Sequence, residues 1–267
     1  MAVLLNERQQ YIVEKLNKEK KVVVASLAGE LGVAPETIRR DLDVLETEKK
    51  LRRVHGGAVL YMQTNNEPLL VQKMSVRAEE KAAIGRKAAE FIKDGDTIMM
   101  GAGTTALHLA KAITGVKSLT IVTNSLAAAE ELNNRLENRE FDGKVIVLGG
   151  TTNPEQKSIV GALTCKMLEA FRFDKLFLPC GGVTTGHVSD FNFEECMVSA
   201  TTVERANQVF LLADSSKIDN ESFFKICPLF KVDYIISDEG MPLSWQKQKL
   251  DTMLQWITAI GGEKNEG

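Results

Sequence analysis

The 267-residue sequence predicts an α/β protein, an N-terminal winged helix-turn-helix followed by a mostly parallel sheet domain. Three observations carry that expectation. Short helical stripes and a hairpin pattern crowd into residues 1–60. Beyond them, apolar runs of strand length alternate with helical stretches, the pattern of a parallel sheet covered on both faces. Between the two lies a polar stretch, Gln63-Thr64-Asn65-Asn66-Glu67-Pro68, with a helix-breaking proline. The expected division is residues 1–60, a linker at 61–75, an α/β domain at 76–260 and a frayed tail at 261–267.

In chain order, Asn6 and Gln9 form a capping pair opening a first helix whose buried stripe is Ile12, Val13 and Leu16. Val24, Leu27, Ala28 and Leu31 are a second stripe, ended by Gly32. Pro35, a residue favoured in a first helical turn, opens the third helix. Leu51 to Val54 and Ala58 to Leu60 flank His55-Gly56-Gly57 as a hairpin. Later strands are read at Thr97–Met100, Leu119–Thr123, Val145–Leu148, Lys175–Leu178, Val209–Ala213 and Tyr234–Ser237. The helices between and after them fall at 77–93, 104–114, 125–138, 158–171, 192–206 and 243–258.

The net charge is −3, with 44% hydrophobic and 26% charged residues, an ordinary soluble composition. Residues 1–60 carry eleven Lys/Arg against nine Asp/Glu, a local excess of +2. Cys165, Cys180, Cys196 and Cys227 are widely spaced and read as reduced, mostly buried thiols. His55, His108 and His187 lie in no ligand register, so no metal site and no resident cofactor are expected. The N-terminal apolar run is too short for a signal peptide and no run of about 18 apolar residues occurs, which places the protein in the cytoplasm.

Two helices joined by a tight turn and followed by a hairpin describe a DNA-reading motif. On the third helix, Ile38, Leu42 and Leu45 share one face. Pro35, Glu36, Thr37, Arg40 and Asp43 lie away from it, with Arg39 on the shoulder. Arginine suits guanine edges or phosphate, and threonine suits phosphate or a thymine methyl. Arg52, Arg53 and His55 sit where a wing would meet the DNA backbone. The same helix also reads as a charged, solvated face without a ligand.

The second chemical motif follows Thr97–Met100. Gly101-Ala102-Gly103-Thr104-Thr105-Ala106 is a glycine-rich turn entering a helix, which aims unpaired N–H groups and the positive helix end at an anion. It matches G-x-G-x-x-A, yet the next strand ends at Asn124, where a dinucleotide fold needs an acidic residue. A single phosphate fits better than NAD. Other strand ends, at Gly149 and at Asp214-Ser215-Ser216-Lys217, point polar groups to the same edge. Lys217 would neutralise a phosphate, and Asp214 would accept from sugar hydroxyls or hold the lysine; taken alone, a plain helix cap or turn with a surface lysine is the stronger reading.

Thr37-Ile38-Arg39-Arg40-Asp41-Leu42 followed by Leu51-x-Arg53-Val54-His55-Gly56-Gly57-Ala58 resembles the signature of the DeoR family of bacterial transcriptional regulators, and the likeness runs through nearly the whole chain. The resemblance implies a C-terminal sensor domain similar in fold to ribose-5-phosphate isomerase and the CoA-transferases, which binds a phosphorylated sugar as effector. It also brings in Arg77 and Lys81, from an Arg-x-x-Glu-Lys region, as effector contacts. Two departures stand out. Ala34 replaces the family's serine cap, at a cost on the order of 1 kcal/mol. Gly101-Ala102 replaces an Asp-Ser pair, leaving Asp190 or Glu195 to supply a carboxylate for sugar hydroxyls.

The expected function is a DNA-binding regulator, a repressor of a carbohydrate-utilisation operon, without enzyme activity. Its partners would be double-stranded operator DNA, a sugar phosphate and further copies of itself, as a dimer or tetramer, because a repeated operator needs two reading heads. The alternatives are a sugar-phosphate isomerase or transferase with a DNA-binding appendage, and a regulator whose second domain only oligomerises.

Overall fold

The computed structural model describes residues 5–19, 21–48, 50–54, 56–60, 67–246 and 254–260. The chain divides into two units, Met1–Asn66 and Glu67–Gly267.

The first unit consists of helix α1 (Leu5–Glu19), strand β1 (Lys21–Val23), helices α2 (Val24–Leu31) and α3 (Pro35–Thr47), and strands β2 (Leu51–Val54) and β3 (Gly57–Leu60). The expected stripes form its core: Ile12, Leu16, Leu27, Ile38, Leu42, Leu45 and Leu51 are fully buried. Gly32 ends α2 at φ 63°, a left-handed conformation open to glycine at no steric cost, and its N–H bonds the Ala28 carbonyl. Ala34 offers α3 no side-chain cap, as expected, while Pro35 takes the first helical position and Glu36 faces the positive helix end. The hairpin is part of a three-stranded antiparallel sheet, ordered β1-β3-β2. Strand β1 escaped the sequence because three residues are too few to show a period. Asn6 lies inside α1, which already runs from Leu5, so the capping pair placed there is not the helix start.

The second unit opens with helices α4 (Leu70–Ser75) and α5 (Ala78–Ala89), then β4 (Thr97–Met100), α6 (Thr104–Ala112), β5 (Leu119–Thr123), α7 (Leu126–Glu137) and β6 (Gly143–Val147). It continues through β7 (Thr151–Asn153), β8 (Ser158–Val160), α8 (Ala162–Leu168), β9 (Phe173–Pro179), β10 (Gly182–Val183), β11 (His187–Asp190), α9 (Phe193–Val203) and β12 (Ala206–Leu212). The last elements are β13 (Phe224–Pro228), β14 (Tyr234–Ser237), α10 (Leu243–Gln246) and β15 (Gln255–Thr258).

Seven strands form one sheet in the order β15-β14-β12-β9-β4-β5-β6, every pairing parallel. Two antiparallel ribbons flank it, β7-β8 and β10-β11-β13. The strand period of two sorts side chains onto two cores. Met99, Leu176, Leu178, Val209 and Leu211 join one cluster with Leu168 of α8 and Cys196 and Val198 of α9. Ile98, Met100, Phe177, Phe210 and Leu212 join the other with Ile84 of α5, Leu109 of α6 and Leu132 of α7.

Three segments differ in kind from the sequence reading, and strands β7, β10, β11 and β13 were not foreseen. The stretch 61–75 is not linker throughout: residues 70–75 form α4, anchored by buried Leu70, whose N–H donates to the Glu155 carbonyl at 2.9 Å. Residues 158–171 begin as strand β8, which pairs with β7, before α8 starts beyond Gly161. Residues 243–258 end in β15, an edge strand beside β14. The 261–267 tail lies outside the described residues.

Candidate functional site

The chain leaves β4 through α6 toward β5 on one side, and leaves β9 toward β12 on the other. At such a reversal the connections diverge and open a crevice beyond the carboxyl ends of the strands. A cavity of about 260 Å³ lies there, room for roughly nine waters at about 30 Å³ each.

One wall is the turn from β4 into α6. Gly103 adopts φ 151°, and a Cβ there would sit 3.0 Å from the Pro179 ring. The backbone can therefore fold closely over the end of β9, and Gly103, Thr104 and Thr105, at the N-terminus of α6, line the cavity. The N–H groups of a first helical turn have no carbonyl partner within the helix, and the dipole adds positive potential to this wall.

Two lysines converge on it. Lys81 of α5 is buried, and its Nζ donates to the carbonyls of Lys73 (2.8 Å) and Val76 (2.7 Å), leaving one of its three donors for the cavity. Burial lowers the Lys81 pKa, and Lys217, Lys73 and Arg77 add repulsion against the favourable field of Asp214. Lys217 stands on the short turn after β12, which Asp214 caps by accepting from the Ser216 N–H at 3.0 Å.

Of the residues expected at an effector site, Lys81, Ala102, Gly103, Thr104, Thr105, Asp214 and Lys217 line this cavity. Arg77, Gly101, Asn124 and Gly149 do not. Arg77 is bonded away behind it: Nη2 donates to Ser215 Oγ at 2.6 Å and to Asp238 Oδ2 at 2.7 Å, and Nε lies 3.4 Å from Asp214 Oδ1. It braces the start of α5 against the ends of β12 and β14 instead of reaching the crevice. Gly101 packs under Pro179. Asn124 is buried and donates to the Ile159 carbonyl at 3.1 Å, tying β5 to β8. The Gly149 carbonyl accepts from Thr164 Oγ1 at 3.0 Å.

Both carboxylates left open by the sequence reach the cavity. Burial, reinforced by Glu67, raises the Asp190 pKa to about 6 and the Glu195 pKa to about 7. Glu195 Oε1 accepts from Ser158 Oγ (2.5 Å) and Asn153 Nδ2 (3.2 Å). Cys180 also lines the cavity, and burial pushes its thiol pKa up, so it is not a reactive thiolate there. His187 instead pairs with Glu221 at 2.9 Å. The sequence reading missed the wall formed by Glu67, Pro68, Gln72, Lys73 and Val76. The helical spacing of Leu70 and Met74 within the supposed linker was the available signal.

In the first unit, α3 turns Pro35, Glu36, Arg39, Arg40 and Asp43 to solvent, with Thr37 half-buried. Arg39 pairs with Glu36 at 2.7 Å. Arg53 is tied to the same helix, donating to the Arg39 carbonyl (2.9 Å) and to Asp43 (2.8 Å). These exposed pairs are worth about 1 kcal/mol or less. Arg40 makes no ion pair among the described residues. The Arg52 side chain and His55 lie outside them. Arg40→Ala is expected to weaken operator binding by about 1–3 kcal/mol and to relax preference at one base pair, if it reads a guanine edge. A binding titration over single-base operator variants checks this, and a uniform loss over all variants would assign Arg40 to phosphate instead.

Residues 8–64 match the DeoR-like helix-turn-helix domain, and residues 76–239 match the DeoR C terminal sensor domain. The uncharacterized HTH-type transcriptional regulator YulB of Bacillus subtilis is 39% identical over 97% of this chain and 98% of its own. The lactose phosphotransferase system repressor of Lactococcus lactis subsp. lactis is 33% identical over 95% and 97%. Among solved structures, a D-ribose-5-phosphate isomerase in complex with phospho-erythronic acid is 14% identical over 53% of this chain and 54% of that one, at TM-score 0.40. The eIF2B beta subunit of Chaetomium thermophilum is 17% identical over 59% and 48%, at TM-score 0.43.

Proposed function

The chain belongs to the DeoR family of helix-turn-helix transcriptional regulators, and on that premise we propose that it represses a carbohydrate-utilisation operon under control of a phosphorylated sugar. The observation that carries this reading is the crevice at the β4/β9 reversal, where a helix N-terminus and two lysines meet beside two half-buried carboxylates. Phosphate would seat on the Gly103-Thr104-Thr105 turn with Lys81 and Lys217. The sugar hydroxyls would donate to Asp190 or Glu195, which replace the carboxylate missing at Gly101. The Lactococcus lactis relative, named for a sugar phosphotransferase system, supports a sugar as the signal. The regulator works in the cytoplasm as a dimer or tetramer, because two α3 helices are needed for a repeated operator.

The test is a mobility-shift assay on the DNA upstream of its own coding sequence, with a panel of sugar phosphates. Lys217→Ala is expected to keep operator affinity within about twofold while needing about 10–100-fold more sugar phosphate, the worth of a charge-assisted hydrogen bond. A Lys217→Ala protein with an unaltered response removes the sensor assignment. The second reading, an isomerase with a DNA-reading appendage, draws on Asp190 and Glu195, whose raised pKa values suit proton transfer near neutral pH. Turnover of a sugar phosphate that Asp190→Asn or Glu195→Gln abolishes would favour it.

A further inference from the structure

We propose that the Glu67 carboxylate is an internal stand-in for the effector's anionic group: it holds Lys73 at the crevice wall, and an incoming phosphate takes Lys73 from it, releasing the first residue of the sensor unit. This rests on the reading of the crevice as a phosphate site, and it adds Lys73 to that site and Glu67 as its competitor.

Four observations converge on the exchange. Glu67 and Lys73 both line the cavity and are ion-paired to each other, with side chains only 11% and 21% exposed. Lys73 belongs to the cationic group around the phosphate wall, since its carbonyl accepts from Lys81 Nζ at 2.8 Å and its charge acts on Lys81 together with that of Lys217. Glu67 also shares the cavity lining with the half-buried Asp190 and Glu195, and its charge works against the ionisation of both. Glu67 therefore sits between an attraction that a phosphate would take over and a repulsion that its departure would relieve.

The fourth observation is where the release would act. The strap is held from Pro68 onward: Gln156 Nε2 donates to the Pro68 carbonyl at 3.1 Å, and the Leu70 N–H donates to the Glu155 carbonyl at 2.9 Å. Losing the Lys73 pairing frees what precedes those anchors and lets the anchors themselves, the Leu70 N–H included, open more often. Glu67 is the residue at which the sensor unit begins, directly following Asn66 of the DNA-reading unit. The exchange thus converts the arrival of an anion into a change at the covalent junction between the two units. The differential interaction required of any effector-driven switch is the Lys73 pairing itself.

Calorimetric titration of the full chain with inorganic phosphate and with a hexose 6-phosphate tests this in wild type, Glu67→Gln and Lys217→Ala. The expected results are about tenfold tighter binding in Glu67→Gln, which removes the competitor, and weaker binding in Lys217→Ala. Glu67→Gln binding within twofold of wild type, or weaker, overturns the stand-in while a weakened Lys217→Ala leaves the phosphate site standing. Unaltered binding in Lys217→Ala overturns both. Amide hydrogen exchange gives an independent measure. Phosphate is expected to accelerate exchange at Leu69 and Leu70 in wild type, and Glu67→Gln to show that faster exchange without phosphate. Slowed or unchanged exchange at those amides on adding phosphate overturns the release.

Discussion

Asp41→Ala is expected to raise amide exchange throughout α3 by two to nearly four powers of ten in the full-length protein. Asp41 is only 3% exposed in its side chain, between the fully buried Ile38, Leu42 and Leu45 on the apolar face of α3. Its carboxylate takes the Arg8 guanidinium of α1 with both oxygens, Nε on Oδ2 and Nη2 on Oδ1, the latter at 3.0 Å. The pairing raises the already high Arg8 pKa, so Arg8 keeps its charge in any condition the fold survives. Removing the carboxylate takes both of these bonds from the Arg8 guanidinium, and deleting one partner of a buried pair costs about 3–5 kcal/mol. Each 1.36 kcal/mol is a factor of ten, which gives the exchange range. The double change Arg8→Met, Asp41→Leu is expected to recover much of the loss, because apolar replacement of both partners is often near neutral. Undiminished protection in Asp41→Ala would show that the pair is not what clamps α1 to α3.

That ion pair illustrates how far the sequence could be read. The apolar stripe of α3 was legible because Ile38, Leu42 and Leu45 repeat at helical spacing, and burial bears it out. Asp41 was legible only as a motif letter. Its position three residues after Ile38 and four before Leu45 puts it on the buried face, but its partner lies 33 residues away on α1. Nothing local in a sequence names a partner at that distance. The same limit hid α4. Six residues beside a proline look like a connector by composition, and what makes them a helix is Leu70 settling into the core and the Glu155 carbonyl accepting its N–H.

The crevice was legible to the extent that backbone chemistry alone specifies it. A glycine-threonine turn after a strand must present N–H groups, and parallel topology must gather strand ends on one rim, so Thr104, Thr105, Asp214 and Lys217 meet as expected. Arg77 lies outside the cavity lining for a tertiary reason: Asp238, at the end of β14, claims its guanidinium from 161 residues away. Asn124 is likewise held outside the lining, because the Ile159 carbonyl of β8 takes its amide. Asp43 and Arg53 were each placed at the DNA, yet in this structure they face one another.

The sensor unit is expected to lose stability as pH rises from 5 to 8, the reverse of the usual behaviour of carboxylates. Asp190 and Glu195 hold their protons to about 6 and about 7, whereas in an unfolded chain both release them near 4. Between those values the folded form binds more protons than the unfolded chain, so unfolding free energy falls with rising pH. The contribution is complete below pH 4 and gone once pH passes 7. Its size is on the order of 3 kcal/mol for each residue. Glu195→Gln isolates one share. A glutamine Oε1 can still accept from Ser158 Oγ and Asn153 Nδ2, the two donors that Glu195 uses, so the variant changes charge more than contact. It is expected to match wild type near pH 5 and to exceed it at pH 8. Trp245 and Trp256 both lie in this unit, so their fluorescence during urea unfolding reports on it without interference from the DNA-reading unit. Parallel pH profiles for wild type and Glu195→Gln would mean that the buried carboxylate ionises freely, and that the crevice is wetter than its lining implies. A phosphate entering the same space would hold the proton on Glu195 more firmly still. Sugar-phosphate affinity should therefore weaken as pH rises through 7 in wild type, and weaken less in the variant.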